Sequence, residues 1–393
     1  MAITYELTPE QIYDNTNTAK FIPAYSDAIF QTSTSTIISG LFNYKFLFDV
    51  YVNAVKVVRL KVEPNAENKG VLDVSRIIQD YVQAEEIVAS GLATGFEYSI
   101  HKIRDFSLGQ KNATSFNILA GEEYATSQGG LITVYDGNGN VGNPAQNSGG
   151  FRTWNAVNQW SDSKEGNEGF RSNWTNYFLR ATDRKALSQF TPSSTIKQKI
   201  GSNDYHTMYI MFGRVGGDSN NNDAYSLAAS GQNGKAVITF YNSSGATTGS
   251  AIEYTCKNWV GQNALDGQAH SGYNNFLYVG VGTQNLLDDS QTIPADTAYY
   301  TVVFKNNSDT ILSSTYYFEI DNCNGKGYNQ VRLAWLNTLG GFDYFTFRQK
   351  NTTRIDNKKT YYGRQHGEWN IATYTQRIHE RGKSTINVSA IEK

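Results

Sequence analysis

Cysteine is scarce in this sequence of 393 residues, which contains only Cys256 and Cys323. Two thiols cannot build the disulfide framework of a small secreted domain, or a site in which several thiolates hold a metal. We expect both to be reduced thiols in the core, with a single bridge between them as the alternative.

Charged residues are also few, at 18% of the chain, and the 34 basic residues nearly balance the 36 acidic ones. A formal net charge of −2 provides no overall field that would gather phosphates or anionic lipid. No apolar run approaches the roughly 20 residues that span a bilayer, and the opening residues lack a basic region followed by an apolar core. We therefore expect no nucleic-acid partner, no membrane insertion and no signal peptide.

What the sequence does contain is aromatic side chains and glycine: 26 Tyr, 20 Phe and 35 Gly. This mixture is typical of many strands joined by turns that need positive φ. The length allows two or three domains. We predict a mainly β protein with two or more antiparallel β-sandwich-like domains and one short helix.

The clearest strand begins at Tyr44, where apolar and other side chains alternate as far as Val52. A turn near Asn53 and Ala54 and a second alternating run, 58–62, predict an antiparallel hairpin. Helical spacing follows over residues 74–82, and Asp73 before it is placed to accept amide protons of the first turn.

Changes of composition divide the chain into five expected segments. They are an N-terminal arm (1–35), a β-rich domain containing the helix (36–141), a connection rich in Gly, Asn and Trp (142–172), a second β-sandwich-like domain (173–350) and a C-terminal β extension (351–393).

The connection has two interpretations. In one, a loop or short helix tucks its aromatic side chains under a sheet. In the other, Trp154 and Trp160, together with Trp174 just beyond, form an exposed surface whose flat rings stack on glycan.

Two short motifs resemble ligand-binding loops but lack features that such loops require. Gly137, Gly139 and Gly142 have the spacing of a dinucleotide loop, but no helix follows them, so we predict a hairpin turn. The same stretch imitates the start of a calcium loop, yet Val141 and Asn147 occupy its two essential positions.

Catalytic groups are equally dispersed. No two histidines have metal-ligand spacing, and the acidic pairs are adjacent in sequence rather than set across a cleft. We expect no catalytic residues, no metal and no cofactor, and hence a protein that is not an enzyme.

A distinctive hairpin is predicted near the C-terminus, with strands at 332–336 and 343–347. Glycines permit its turn, and Asn337 and Asp343 could each tie the turn down through hydrogen bonds to backbone. We expect Trp335, Phe342 and Tyr344 to be core or interface anchors.

The run from Trp335 to Phe347 reads W-L-N-x-x-G-G-x-D-x-F-x-F, and Gly70 to Tyr81 reads G-V-L-D-V-S-R-I-I-Q-D-Y. Both resemble segments of tail-associated structural proteins (tail-tip, baseplate or receptor-binding) of bacteriophages that infect Bacteroidetes-type bacteria. The resemblance touches about a quarter of the chain and carries no catalytic residues.

The resemblance implies a virion protein, assembled in the host cytoplasm as one copy in a symmetric tail or tail-tip homo-oligomer. Its partners would be copies of itself and other virion proteins. The alternatives are a tail adhesin that binds host glycan or receptor and, third, a tail polysaccharide depolymerase.

Overall fold

The computed structural model describes residues 2–9, 20–84, 87–89, 97–103, 106–108, 112–157, 176–177, 179, 182–211, 234–256, 276–306, 308–321, 330–348, 354–365 and 381–392. Over these ranges the chain is mainly β, as predicted. The predicted helix is present as α1 (Ser75–Gln79), and a second short helix, α2 (Thr283–Asp288), was not predicted. In the part of the chain so described, no helix has the length and apolar character needed to cross a membrane.

The described residues form 24 strands. The first thirteen are β1 (Ile3–Leu7), β2 (Lys20–Tyr25), β3 (Ile29–Thr34), β4 (Phe42–Val52), β5 (Val55–Val62), β6 (Gly70–Asp73), β7 (Ile87–Ala89), β8 (Glu97–Ser99), β9 (Phe106–Leu108), β10 (Ala113–Ala125), β11 (Thr133–Tyr135), β12 (Gln146–Asn147) and β13 (Phe151–Val157). The remainder are β14 (Gln198–Ile200), β15 (Thr207–Met211), β16 (Gly234–Tyr241), β17 (Ile252–Cys256), β18 (Phe276–Gly280), β19 (Tyr299–Lys305), β20 (Tyr316–Ile320), β21 (Val331–Leu336), β22 (Phe342–Phe347), β23 (Arg354–Gln365) and β24 (Arg381–Glu392).

The chain divides into two compact units, whose bounds differ from the five expected segments. Unit 1 comprises Met1–Asn322 and Arg332–Thr346, and unit 2 comprises Cys323–Val331 and Phe347–Lys393. Unit 2 contains the long antiparallel pair β23–β24. Cys323 lies outside the described residues, so the predicted state of the two cysteines is not decided.

Unit 1 contains two sandwiches. In the first, a sheet of order β2-β13-β10-β4-β5, with β11 and β12 also paired to β10, packs on a three-stranded sheet of order β1-β3-β6. Aromatic side chains fill the space between the sheets; the Phe30 ring, for example, meets the Phe151 ring edge-on at 5.3 Å between centroids. Burial of such rings is the main source of stability for a sandwich.

The predicted hairpin is confirmed as β4–β5, an antiparallel pair. Its turn residues Asn53 and Ala54 have φ of 49° and 63°, which matches the twist of the flanking strands. Asp73 accepts from the Ser75 amide at 2.9 Å, but it lies one position before the helix N-cap, which is Val74.

Two expectations about the first sandwich were wrong. Residues 1–35 are not an arm, because β1, β2 and β3 all belong to its sheets. In the described part of the connection, residues 142–157, the aromatic side chains lie on a strand, β13 between β10 and β2, where a loop or a short helix was expected. Residues 158–172 lie outside the described residues.

The second sandwich packs a sheet of order β14-β20-β19-β16-β17 against one of order β15-β18-β9. Alternate side chains of β15 and β18 face opposite ways. Ile210 and Val279 point into this sandwich, whereas Tyr209 and Tyr278 pack in a separate cluster with Trp154. Since β9 comes from the segment expected to form the first domain, the two sandwiches share one continuous unit.

Candidate functional site: an anchored hairpin

The hairpin β21–β22 is the predicted C-terminal hairpin, and its turn is closed by backbone hydrogen bonds. The Asn337 amide donates to the Gly341 carbonyl at 2.8 Å, and the Gly340 amide donates to the Asn337 carbonyl at 3.1 Å. Gly340 has φ of +88°, in the left-handed region where a side chain is disfavoured. A glycine is therefore required at this reversal.

Asn337 holds the turn from inside, as its position in the sequence predicts. Its side-chain oxygen accepts from the amides of Leu339 at 2.9 Å and Gly341 at 3.1 Å. Its side-chain nitrogen donates to the Leu187 carbonyl and to the Asp343 carboxylate, both at 3.0 Å. One buried side chain thus satisfies polar groups on the turn, on the returning strand and on a distant segment.

Asp343 is the second anchor, and it is almost completely buried. Besides Asn337, its carboxylate accepts from the Ser188 hydroxyl at 2.5 Å and from the Gln189 amide at 3.0 Å. Burial raises the pKa of the Asp343 carboxyl above its ordinary value, although these three hydrogen bonds act in the opposite direction.

The turn also lies very close to neighbouring backbone. A Cβ added to Gly340 would lie 2.4 Å from the Asn155 carbonyl oxygen, and one added to Gly341 would lie 2.5 Å from the Leu187 carbonyl oxygen. Both distances are shorter than any real contact of that kind. The glycines therefore let the turn seat against two other segments of unit 1.

Trp154, on β13, also contacts the turn. Its indole nitrogen donates to the Leu339 carbonyl at 3.0 Å, and its ring stacks on Phe276 with centroids 5.4 Å apart. The Val157 amide donates to the Thr338 carbonyl at 2.8 Å. The turn is thus held by β13 of the first sandwich and, through the Trp154 ring, by the β15-β18-β9 sheet of the second.

At the open end of the hairpin, Arg332 is held by a fork of hydrogen bonds. Its guanidinium donates to the Tyr205 carbonyl at 2.8 Å, to the Asp204 carboxylate at 3.0 Å and to the Thr346 hydroxyl at 2.6 Å. A further contact to the His206 ring nitrogen measures 3.4 Å. The ion pair between Arg332 and Asp204 is largely shielded from solvent. It therefore fixes this end of the hairpin more firmly than a surface ion pair would.

His206 is buried beside this guanidinium, between the rings of Phe318 and Tyr344. Burial, and secondarily the positive charge of Arg332, hold the pKa of the His206 imidazole well below 6.5. The Tyr344 hydroxyl lies 2.7 Å from the Nδ1 atom of His101, and burial raises its pKa. These groups bind one another, and the arrangement fixes the hairpin in place.

The other side of the hairpin is exposed. Leu333, Trp335, Leu336 and Phe345 retain between 38% and 47% of their surface in solvent. The ring of Phe190 meets the Trp335 ring at 6.2 Å between centroids. We call these four exposed side chains the hairpin patch. Large apolar side chains grouped on an ordered element are typical of interaction surfaces.

The predicted anchors fall into two groups. Tyr344 is buried, and Phe342 is partly buried against the cluster that contains Trp154. Trp335 belongs to the exposed hairpin patch. Trp154 is one of the three tryptophans proposed to bind glycan, and it is fully buried. Its ring is covered by the turn and by the β15-β18-β9 sheet, so no ring face is exposed for a sugar. Trp160 and Trp174 lie outside the described residues.

Sequence analysis missed the cluster of Asp204, His206 and Arg332. Asp204 and Arg332 are 128 positions apart, and nothing in the sequence around either residue indicates the other as its partner. The only available signal was the alternation of β21, which places an arginine among apolar residues. In the part of the chain that is described, no three His, Cys, Asp or Glu side chains are grouped so that they could hold a metal ion.

No protein-family model matches the chain, and a search of curated proteins finds no match.

Proposed function

We propose that this chain is a non-enzymatic structural protein of a bacteriophage particle, working as one copy in a symmetric tail or tail-tip assembly. The observation that carries the proposal is an anchored hairpin that exposes the hairpin patch. One of the two runs that resemble phage tail-associated proteins, Trp335 to Phe347, lies in this same hairpin, so part of the resemblance falls on the residues that form the hairpin patch.

Anchoring favours use as an interface. Association loses the entropy of every side chain and loop that becomes ordered, and a hairpin already held by Asn337, Asp343 and Arg332 has little left to lose. Burial of apolar surface is worth roughly 25 cal/mol per Å². A partner that covers the hairpin patch would bury its apolar surface, and this burial would stabilise the complex without any rearrangement of the hairpin.

The residue types also suit an assembly interface. Tryptophan and other aromatic side chains dominate the binding energy of protein interfaces, and Trp335 and Phe345 lie in the hairpin patch. Closed symmetric assemblies repeat one patch around an axis, so a single hairpin per copy can serve every contact in a ring. The partners are then copies of this chain and neighbouring virion proteins, assembled in the host cytoplasm.

The first experiment measures the mass of the purified chain in solution. We expect a homo-oligomer, and we expect Trp335→Ser with Phe345→Ser to weaken its association at least about tenfold. Leu131→Ser is the matched control, because Leu131 is 92% exposed. It precedes β11, which pairs with the end of β10 opposite to the end that pairs with Trp154, the contact of the hairpin turn. A monomeric wild type, or equal weakening by the control, would contradict the role of the hairpin patch.

The second experiment tests the virion assignment directly. Antibodies against the chain should label one end of the phage tail in electron micrographs, and mass spectrometry of purified particles should detect the chain. Absence of the chain from purified particles would reject the assignment, whatever its oligomeric state.

A further inference from the structure

Several turns in the described part of the chain share one pattern of hydrogen bonds. In each, the side-chain oxygen of the first residue accepts from the amides two and four positions later, and its own amide donates to the carbonyl of the fifth residue. The fourth residue has positive φ, between 59° and 91°. Such side-chain bonds make a turn from local sequence alone. The turns begin at Asn65, Asp136, Asn242, Asn306 and Asn337.

The fourth amide distinguishes the Asp136 turn (136–140) from the others. In the other four turns this amide donates to the carbonyl of the first residue, at 2.9–3.1 Å. In the Asp136 turn that carbonyl accepts instead from the Ala145 amide, at 3.0 Å. The fourth residue here is Gly139, and in the part of the chain that the structure describes its amide makes no hydrogen bond.

The free amide directly follows an asparagine. Asn138 and Gly139 are both exposed, and of the Asn-Gly pairs in the sequence this is the one with both residues described. When the amide nitrogen after an asparagine loses its proton, it can attack the side-chain carbonyl carbon, because the chain holds nucleophile and electrophile together. Glycine adds no side chain that would obstruct the approach. Neither a hydrogen bond nor a side chain therefore protects this pair.

The side chain of Asn138 is held in a way that favours such an attack. Its Oδ1 atom accepts from the side-chain amide of Gln146. A donor at this position stabilises the negative charge that develops on the oxygen when a nucleophile adds to the carbon. The Asn138 amide donates to the Asp136 carboxylate at 2.7 Å, which fixes the preceding backbone. Nucleophile, electrophile and donor thus lie in one exposed turn.

We propose that Asn138 is a site of spontaneous deamidation. The deprotonated Gly139 nitrogen forms a bond to the Cγ atom of Asn138, the bond from Cγ to the side-chain nitrogen breaks, and that nitrogen takes up a proton and leaves as ammonia. Water then opens the five-membered ring at either carbonyl, which leaves aspartate or isoaspartate at position 138. The reaction needs no oxidant, reductant or second protein, and the inference does not depend on the proposed virion role.

The modification alters a turn that joins the two sheets of the first sandwich. The Gly137 carbonyl accepts from the Ile3 amide of β1 at 2.7 Å, although β1 belongs to the opposite sheet. Isoaspartate adds one carbon to the backbone of the turn, and either product places a new carboxylate near that of Asp136, where like charges repel. Both changes oppose the closed turn. We therefore expect β1 to be held less firmly after deamidation.

Peptide mass spectrometry of the full chain gives the first test. During incubation in buffer, the peptide that contains Asn138 should gain the mass produced when an amide NH2 is replaced by OH. The rate should rise at least about threefold between about pH 7 and about pH 8, because the deprotonated nitrogen is the nucleophile. Asn138→Gln should abolish the gain, since its longer side chain would have to close a larger ring. A wild type without this mass gain would overturn the proposal.

A matched pair elsewhere in the chain tests the role of the free amide. Ser244→Asn creates an Asn-Gly pair at the same two positions of the Asn242 turn, where Ser244 is exposed and the Gly245 amide donates to the Asn242 carbonyl at 3.0 Å. We expect Asn138 to deamidate at least about fivefold faster than the introduced asparagine in the native protein. In urea the two rates should become equal, because both turns are then lost. Equal rates in the native protein would overturn the proposal.

Hydrogen exchange measures the consequence for the fold. The peptide that contains β1 should exchange faster in deamidated than in unmodified wild type, whereas a peptide from β19 in the second sandwich should not change. Asn138→Gln, incubated in the same way, should keep the original exchange of β1. Unchanged exchange of β1 in fully deamidated chains would overturn the inferred loosening of β1.

Discussion

The side-chain amide of Asn337 donates to the carboxylate of Asp343 at 3.0 Å, across the turn of the β21–β22 hairpin. Both side chains are buried, and each also bonds to the segment at residues 187–189. Because both side chains are buried, removing either one leaves polar groups that solvent reaches poorly. The pair therefore joins the geometry of the turn to the packing of unit 1.

Asn337→Ala should strongly destabilise unit 1. The substitution removes four hydrogen bonds, among them the two that buried turn amides donate and one of the three that the Asp343 carboxylate accepts, and we expect it to lower the free energy of unfolding by about 2–4 kcal/mol. Urea unfolding followed by far-UV circular dichroism measures the change. Gln189→Ala is the control, since that exposed side chain donates a single bond to Thr338. A loss no larger than that of the control would mean that the turn does not depend on Asn337.

Gly340→Ala should destabilise the protein far more than Gly129→Ala. Both glycines have positive φ, at 88° and 74°, so both substitutions carry a similar backbone strain. Only at Gly340 would the new methyl group also collide with backbone, at the Asn155 carbonyl oxygen; nothing lies within 4 Å at Gly129. We expect the difference in unfolding free energy to exceed about 2 kcal/mol. Equal thermal midpoints would refute the close seating of the turn.

Asp343→Asn should change how stability depends on pH. Burial raises the folded pKa of Asp343 above its ordinary value of 3.8, so the native state binds this proton more readily than the unfolded state. The wild type should therefore gain stability relative to Asp343→Asn as pH falls from neutral, through the raised folded pKa, towards 3.8. Urea midpoints of both proteins across this range measure the difference. Parallel profiles would show that Asp343 titrates normally.

The local sequence pattern was enough to predict elements that are stabilised by residues close to them in the sequence. The alternation from Tyr44 and the turn at Asn53 and Ala54 predicted β4–β5, because such a pair is held mostly by its own side chains and turn. The hydrogen bonds of Asn337 to the turn amides were predictable for the same reason, because they act over a few residues. Asp343, which was also expected to bond to the backbone of the turn, instead accepts from the Asn337 side chain and from Ser188 and Gln189, more than 150 positions away.

Elements that depend on distant partners were not predictable. β2 pairs in parallel with β13, and residues 20–25 and 151–157 carry no local sign of one another. β13 reads as a connection because Gly149 and Gly150 precede it, yet its Trp154 is buried by segments from far along the chain.

The unfolding free energy of the wild type should contain a contribution from His206 that decreases as pH falls below 6.5, and His206→Phe should remove this pH dependence. The folded pKa of His206 is held well below 6.5 by burial and by Arg332, so below pH 6.5 the unfolded state binds a proton that the native state does not. This contribution is complete above pH 6.5 and is lost progressively as pH falls towards the folded pKa. A phenylalanine preserves the ring between Phe318 and Tyr344 and cannot titrate.

The comparison is best made in the Asp343→Asn background, because Asp343 acts in the opposite direction as pH falls. Between pH 7.5 and about 5, the unfolding free energy of Asp343→Asn should decrease more steeply than that of the double variant with His206→Phe. Identical slopes would mean that His206 is protonated as readily in the native state as in the unfolded state. In that case the Arg332 guanidinium would face a second positive charge, and the packing at the open end of the hairpin would need a different explanation.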